Sequence, residues 1–255
     1  MTEEAAYRWL IWGFLALALV TFPALFFFAA PYGRHAGASR QPTVDARLGW
    51  LVMEAPSALV PFACWLIGDH RDDPARIALL LLWELHYVHR AFVFPFRLRK
   101  GAKRMPISVP AAAFAFTCTN GYLNGRWLFR FAPADAYGAG WLADPRFILG
   151  AALFLVGFAV NQQADKILLD LRKPGETGYK IPHGGLYRWV SCPNYFGEIV
   201  EWLGWAIATW SLPGLVFAIW TTANLLPRAV AHHRWYREKF VDYPSERRAL
   251  IPFLL

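Results

Sequence analysis

The sequence predicts an all-α fold, an integral-membrane bundle of seven transmembrane helices, and two observations predict it. Hydrophobic residues fill 56% of the 255 positions and charged residues 17%, and the apolar residues collect into uninterrupted blocks such as Leu10 to Phe28. A soluble chain of this length has no need of such runs, whereas roughly 20 apolar residues in a helix cross the ~30 Å hydrocarbon layer of a bilayer. The second observation is that the charges sit mostly in short segments between the blocks.

The first block, Trp9 to Phe28, follows an acidic leader, Glu3 and Glu4, with no small-residue cleavage site, so it reads as a retained helix and not a signal peptide. Four further blocks are long enough to span: Leu48 to Ile67, Ile77 to Phe96, Ile107 to Phe131 and Phe147 to Leu169. The sixth, Ile199 to Trp210, and the seventh, Leu212 to Leu226, are short and separated only by Ser211. They either cross fully or form a half-depth hairpin around Pro213, and both choices leave the two ends of the pair on one side. No internal repeat and no linker is visible, so residues 1–255 read as a single domain.

Charge orients the bundle. Arg34, Arg40 and Arg47 fill the first loop and Arg97, Arg99, Lys100, Lys103 and Arg104 the third, whereas loops two and four carry Asp69, Asp72, Asp73, Asp135 and Asp144. The positive-inside rule then places the odd loops and the basic C-terminus in the cytoplasm and the N-terminus outside. The net charge of +8 is accounted for by these loops. It forms no continuous basic groove, which excludes a nucleic-acid partner. Cys64, Cys118 and Cys192 are an odd set without metal-type spacing, so neither a disulfide framework nor a zinc site is expected.

Ionisable residues inside membrane helices are costly unless paired, and each is a functional candidate. Glu54 lies about six residues, or ~9 Å, past the cytoplasmic start of the second block, and Tyr87 about nine residues, or ~14 Å, before the end of the third. The two therefore lie at similar depth, with His86, His89 and Arg90 on adjacent turns of the third helix. A tyrosine there is a plausible hydrogen-bond donor or general acid toward a carbonyl. Asn161 and Asp165 share a helix face by their i, i+4 spacing, as do Arg228, His232 and Tyr236. Glu198 and Glu201 open the sixth helix. The loop from Arg172 to Asn194 is rich in Gly, Pro and hydrogen-bonding groups, and Arg172, Lys173, Lys180 and Arg188 in it suit an anionic cofactor arriving from the cytosol.

Two other chemistries fail. A membrane di-iron hydroxylase needs about eight clustered histidines, and this chain has 7 in total, with His35, His70 and His183 isolated in loops. No metal is expected. A Rossmann site needs GxGxxG between a strand and a helix, and neither that motif nor a strand pattern is present. A dinucleotide would have to be held by the helical bundle itself.

Together, Glu54-Ala55-Pro56-Ser57, His86-Tyr87-Val88-His89-Arg90, Asn161 to Asp165, Leu171 to Glu176, Ile181-Pro182-His183-Gly184-Gly185-Leu186, Asn194 to Trp202, Asp242-Tyr243-Pro244 and Ile251-Pro252-Phe253 resemble the steroid 5α-reductase family. The resemblance runs from about Leu48 to the C-terminus. It implies a seven-helix membrane enzyme that uses NADPH to reduce the C4–C5 double bond of a 3-oxo-Δ4 steroid. On that reading Glu54 and Tyr87 are catalytic and hydrogen-bond the C3 carbonyl. Cofactor binding falls to Arg90, Asn161, Asp165, Arg172, Tyr179, Lys180, Asn194, Glu198, Arg228, His232 and Tyr236. Lys180 departs from the family by standing where Arg is familiar.

Ser191-Cys192-Pro193-Asn194-Tyr195 and the Ile251 to Leu255 ending also resemble trans-2-enoyl-CoA reductases, which carry out the same type of conjugate reduction. Glu54 close to Pro56 and the His86 to Arg90 stretch favour the steroid branch. A seven-helix transporter or receptor is the alternative from another class, and a dinucleotide retained through purification would exclude it. The expected partners are a steroid or sterol-like enone and membrane lipid, with no obligate protein partner. Arg-over-Lys and Ala-rich usage favours a bacterial source, hence a cytoplasmic membrane; in a eukaryote the endoplasmic reticulum is expected.

Overall fold

The computed structural model describes residues 2–27, 41–98, 104–173, 176 and 178–255. Arg34, Arg40, Arg99, Lys100 and Lys103 of the basic loops, and His35, Pro174 and Gly175, lie outside the described residues. Among the described residues the chain forms seven helices: α1 (Glu3–Phe27), α2 (Ala46–Leu66), α3 (Pro74–Val88), α4 (Ser108–Arg126), α5 (Pro145–Asp170), α6 (Pro193–Thr209) and α7 (Leu212–Lys239). A π-helical turn, His89–Val93, and a last turn, Phe94–Arg97, carry α3 onward, and a second π-helical turn, Trp127–Phe131, carries α4 onward. Five of the seven, counting α3 through Arg97, are long and apolar enough to cross a membrane.

The helices start where local chemistry starts them. Asp73 accepts the Ala75 N–H at 2.9 Å, Asp144 the Arg146 N–H at 2.8 Å and Ser211 the Gly214 N–H at 3.1 Å, each with a proline in the first turn. A proline there forfeits no intrahelical bond, and the cap satisfies one of the orphan donors.

Three expectations are corrected. Helix α6 begins at Pro193, six residues before its apolar block, so Glu198 and Glu201 sit in its second and third turns and do not open it. Helix α7 continues thirteen residues past Leu226, and Arg228 and His232 lie within it. The reversal between α6 and α7 is a tight turn with Trp210 left-handed at φ 44°, and Pro213 belongs to the first turn of α7 instead of the apex of a hairpin. The chain also has a small ribbon that the sequence did not announce: β1 (Thr43–Asp45) pairs antiparallel with β2 (Arg104–Pro106).

That ribbon joins loops one and three at one end of the bundle. At the opposite end Asp69 of loop two pairs with Arg130, and buried Arg76 donates to the Pro133 carbonyl at 2.8 Å in loop four. The described residues of loops one and three thus lie at one end and those of loops two and four at the other. The Glu3 carboxylate meets Arg126 at the loop-two end, at 2.8 Å on both oxygens, which keeps the start of α1 there.

The core is aromatic. Trp83, Trp202 and Trp205 are almost wholly buried, and the Trp83 ring centroid lies 5.3 Å from that of Trp202 and 5.0 Å from that of Trp205. Each such pair adds about 0.5–1.5 kcal/mol beyond area burial. The indoles of Trp83 and Trp205 have partners: Trp83 Nε1 donates to the Ser57 carbonyl at 2.7 Å and Trp205 Nε1 to Asn124 Oδ1 at 2.9 Å.

The closest helix contact is a glycine seam between antiparallel α5 and α6. A Cβ on Gly157 would stand 2.4 Å from the Glu201 nitrogen, and one on Gly197 2.6 Å from the Asn161 nitrogen. One on Gly150 would meet the Ala208 nitrogen at 2.3 Å, and one on Gly204 the Phe154 nitrogen at 2.4 Å. Only hydrogen fits at all four positions, as at small-residue seams of membrane helices. The seam brings the C-terminal turns of α5 against the first turns of α6, where the polar residues of both helices lie.

Candidate active site

Arg90 is the hub. It sits in the π-helical turn of α3, where widened geometry often marks a functional segment. Its guanidinium donates from Nη1 to Asp165 Oδ2 at 3.1 Å, and its Nε lies 4.0 Å from Glu54 Oε1. The guanidinium carbon stands 4.4 Å from the Trp50 ring centroid and 4.8 Å from that of Phe94. The planar, delocalised cation suits both sets of partners at once, stacking on rings while its edge reaches carboxylates. Glu198 also acts electrostatically on Arg90, which therefore faces three acids from α2, α5 and α6.

Asp165 is held from the other side. The Asn194 amide donates to Asp165 Oδ1 at 3.2 Å, and the Asn161 amide donates to the Asn194 carbonyl at 3.0 Å. Asn161 and Asp165 share one face of α5 as their spacing predicts, and both are buried.

Tyr87 lies a turn deeper along α3 and is 5% exposed, its ring stacked on Trp202 with centroids 5.4 Å apart. The Glu54 and Glu198 carboxylates both act electrostatically on its hydroxyl, but among the described residues no hydrogen bond joins Glu54 to Tyr87. Beside Tyr87, His86 Nδ1 and Glu201 Oε1 form a buried pair at 2.8 Å.

The remaining predicted residues form an outer layer. The Tyr195 hydroxyl meets His232 Nε2 at 3.2 Å, and Arg228 donates to Asn224 Oδ1 at 2.9 Å while lying over the Tyr195 ring. Arg172 donates to the Gly178 carbonyl at 3.1 Å and lies over Tyr179, whose ring packs 4.9 Å from Trp235 of α7. Lys180 stands apart, at 2.5 Å from Glu176 on the exposed side of the loop. Tyr236 is buried with its ring parallel to that of Tyr243, centroids 5.3 Å apart.

The tail 240–255 fastens this layer. Buried Arg247 donates to the Pro182 carbonyl at 3.0 Å, and Ser191 Oγ meets both His233 Nδ1 and the Tyr243 hydroxyl at 2.6 Å. Desolvation holds the Tyr243 phenol above the ordinary tyrosine range. Sequence reasoning missed Trp50, Asn224 and Tyr195. The signal was present: Trp50 and Asn224 each precede a named residue by four, hence share its helix face, and Tyr195 adjoins Asn194.

A family model described as 3-oxo-5-alpha-steroid 4-dehydrogenase matches residues 103–255. 3-oxo-5-alpha-steroid 4-dehydrogenase 1 of Bos taurus is 46% identical over 244 residues, covering 94% of this chain and 93% of its own. The chain belongs to the steroid 5α-reductase family. Among its other similar members, steroid 5-alpha-reductase DET2 of Gossypium hirsutum is 42% identical over 257 residues, covering 99% of both chains. 3-oxo-5-alpha-steroid 4-dehydrogenase 1 of Homo sapiens is 46% identical over 226 residues, covering 88% of this chain and 85% of its own. The family model begins at residue 103, after Glu54, Tyr87 and Arg90, whereas the 5α-reductase relative from Gossypium hirsutum spans that region too.

Proposed function

We propose that this single-domain enzyme reduces the C4–C5 double bond of a 3-oxo-Δ4 steroid with NADPH, in a membrane it crosses seven times with its C-terminus in the cytoplasm. The observation that carries the reading is the convergence of Glu54, Arg90, Asp165, Asn194 and Asn161 beside buried Tyr87, in a chain whose near-full-length relatives are named for this reaction.

The donor set fits a reduced dinucleotide. Amides and carboxylates of the inner cluster match hydroxyl and carboxamide groups, and Arg172, Arg228 and His232 of the outer layer match phosphates. Arg90 joins the two layers. Bound NADPH would supply the hydride taken up at C5, and a proton from solvent taken up at C4 would complete the reduction. The chain contributes the polarisation of the substrate. Glu54 in its protonated form and Tyr87 donate hydrogen bonds to the C3 carbonyl as it gains negative charge, which favours the transition state over the ground state. The buried rings of Trp83, Trp202 and Phe217 pack behind Tyr87 and keep water from that side of it.

Incubating the purified protein with NADPH and a 3-oxo-Δ4 steroid tests the proposal. The expected result is stoichiometric NADPH oxidation and a 5α-configured product, with no turnover of a trans-2-enoyl-CoA under the same conditions. Reduction of the thioester and not the steroid would overturn it.

A further inference from the structure

We propose that the surface formed by residues 188–189, the end of α7 and the tail 240–255 docks on the phosphate headgroups of an anionic bilayer. The tail is ordered against the loop between α5 and α6: the Arg248 N–H donates to the Trp189 carbonyl at 2.8 Å and the Ser191 N–H to the Arg248 carbonyl at 2.9 Å. It then closes on itself, with the Leu250 and Ile251 N–H groups both 2.7 Å from the Leu255 carbonyl. That closure holds Phe253 at φ 66°, a conformation unfavourable for a bulky residue, and sets Phe253 and Leu254 at the tip, 75% and 79% exposed.

Trp189 lies beside this tip, its ring centroid 6.1 Å from that of Phe253, and it precedes the first residue of α6, Pro193, by four positions. An exposed indole so near the start of a membrane helix sits at the depth of the interfacial aromatic belt. Cations frame the apolar tip. Arg188 lies over the Trp189 ring, Arg248 is exposed in the tail, and Arg234 and Arg237 line a cavity of about 430 Å³ with Val230, His233 and the acid Glu238. Among the described residues none of these four arginines is in an ion pair. Exposed Glu238, Asp242 and Glu246 offset part of the charge, so the five cations Arg188, Arg234, Arg237, Lys239 and Arg248 leave a net excess of two.

Apolar side chains that enter the headgroup layer beside a net positive surface complement an anionic leaflet better than a neutral one. The inference rests on membrane embedding alone and not on the steroid chemistry. Each arginine near such a surface strengthens the attraction on the order of five-fold, so removing Arg234 and Arg237 together lowers headgroup affinity on the order of 30-fold.

The test uses the full chain in nanodiscs of phosphatidylcholine alone or mixed with phosphatidylglycerol. Both leaflets have one composition, so the result does not depend on orientation. Thermal midpoint and the phosphatidylglycerol retained on detergent extraction are read for wild type, for Arg234→Gln with Arg237→Gln, and for Trp189→Ser with Leu254→Ser. The proposal expects phosphatidylglycerol to raise the wild-type midpoint and retention, and both variants to lose the difference while keeping the midpoint seen in phosphatidylcholine. No difference for wild type, or one that survives in both variants, overturns the proposal. So does a rise reproduced by inorganic phosphate in phosphatidylcholine discs, which would mark a site for a soluble anion.

Discussion

Arg90 and Asp165, 75 positions apart in the chain, meet at 3.1 Å and fasten the π-helical turn of α3 to the last turns of α5. Around that contact lie residues from α2, α5 and α6, so a single guanidinium sets the relative placement of four helices. Breaking a buried ion pair by removing one partner costs about 3–5 kcal/mol, because the other charge is left uncompensated. Arg90→Lys keeps the charge but loses the planar stacking on Trp50 and Phe94. It is expected to weaken cofactor binding at least ten-fold in a fluorescence titration with NADPH, with the protein still folded.

Glu54→Leu and Tyr87→Phe test the chemistry, since neither new side chain can donate a hydrogen bond. Loss of one preorganised donor to a developing oxyanion costs on the order of 10²- to 10³-fold in turnover. Each variant is expected to lose about that much in the rate of 5α-product formation while still binding NADPH. Near-wild-type rates in both would remove these residues from the mechanism.

Asp165→Ala and Arg228→Ala separate cofactor from substrate. Both are expected to raise the NADPH dissociation constant far more than that of the steroid, measured by equilibrium titration of each ligand alone. Equal effects on both ligands would argue for a general loss of structure.

Asp144 gives a pH signature outside the spans. Its carboxylate accepts from the Arg146 backbone and guanidinium, and those bonds depress its pKa to about 2. A depressed carboxylate contributes stability that is complete above the unfolded value of about 4 and is lost as pH falls toward about 2. Asp144→Asn keeps a capping side chain without the charge, so its thermal midpoint is expected to vary less than that of wild type across this window.

Reporter fusions at the two ends test the orientation. The expected outcome is a periplasmic or lumenal signal at the N-terminus and a cytoplasmic one at the C-terminus. Both ends on one side would mean an even number of crossings.

Much of this was legible in the sequence, for physical reasons that also mark where reading failed. Blocks two to five gave α2 to α5 within a few residues because apolar runs in lipid have few alternatives to a helix. The same criterion ended the seventh block at Leu226, since Arg228, His232 and Tyr236 turn a polar face inward while the helix continues to Lys239. It delayed α6 to Ile199 for the same reason. The faces shared by Asn161 and Asp165 followed from helical spacing, but the His86–Glu201 pair spans 115 positions and no local pattern announces it. The ribbon of Thr43–Asp45 with Arg104–Pro106 is three residues a side, too short for alternation to stand out.

The glycine seam also decides where this chain can change length. Four glycines fix α5 and α6 in register, so the loop between them spans two anchors whose separation is already set. Outside its tied points at Gly178, Pro182 and Ser191, adding residues to such a loop costs little, about 0.6 kcal/mol for each doubling of its length. A methyl group added at Gly157 has nowhere to go, because the atoms it would meet are backbone on the facing helix. Insertions above the site are thus cheaper for this fold than one carbon beneath it.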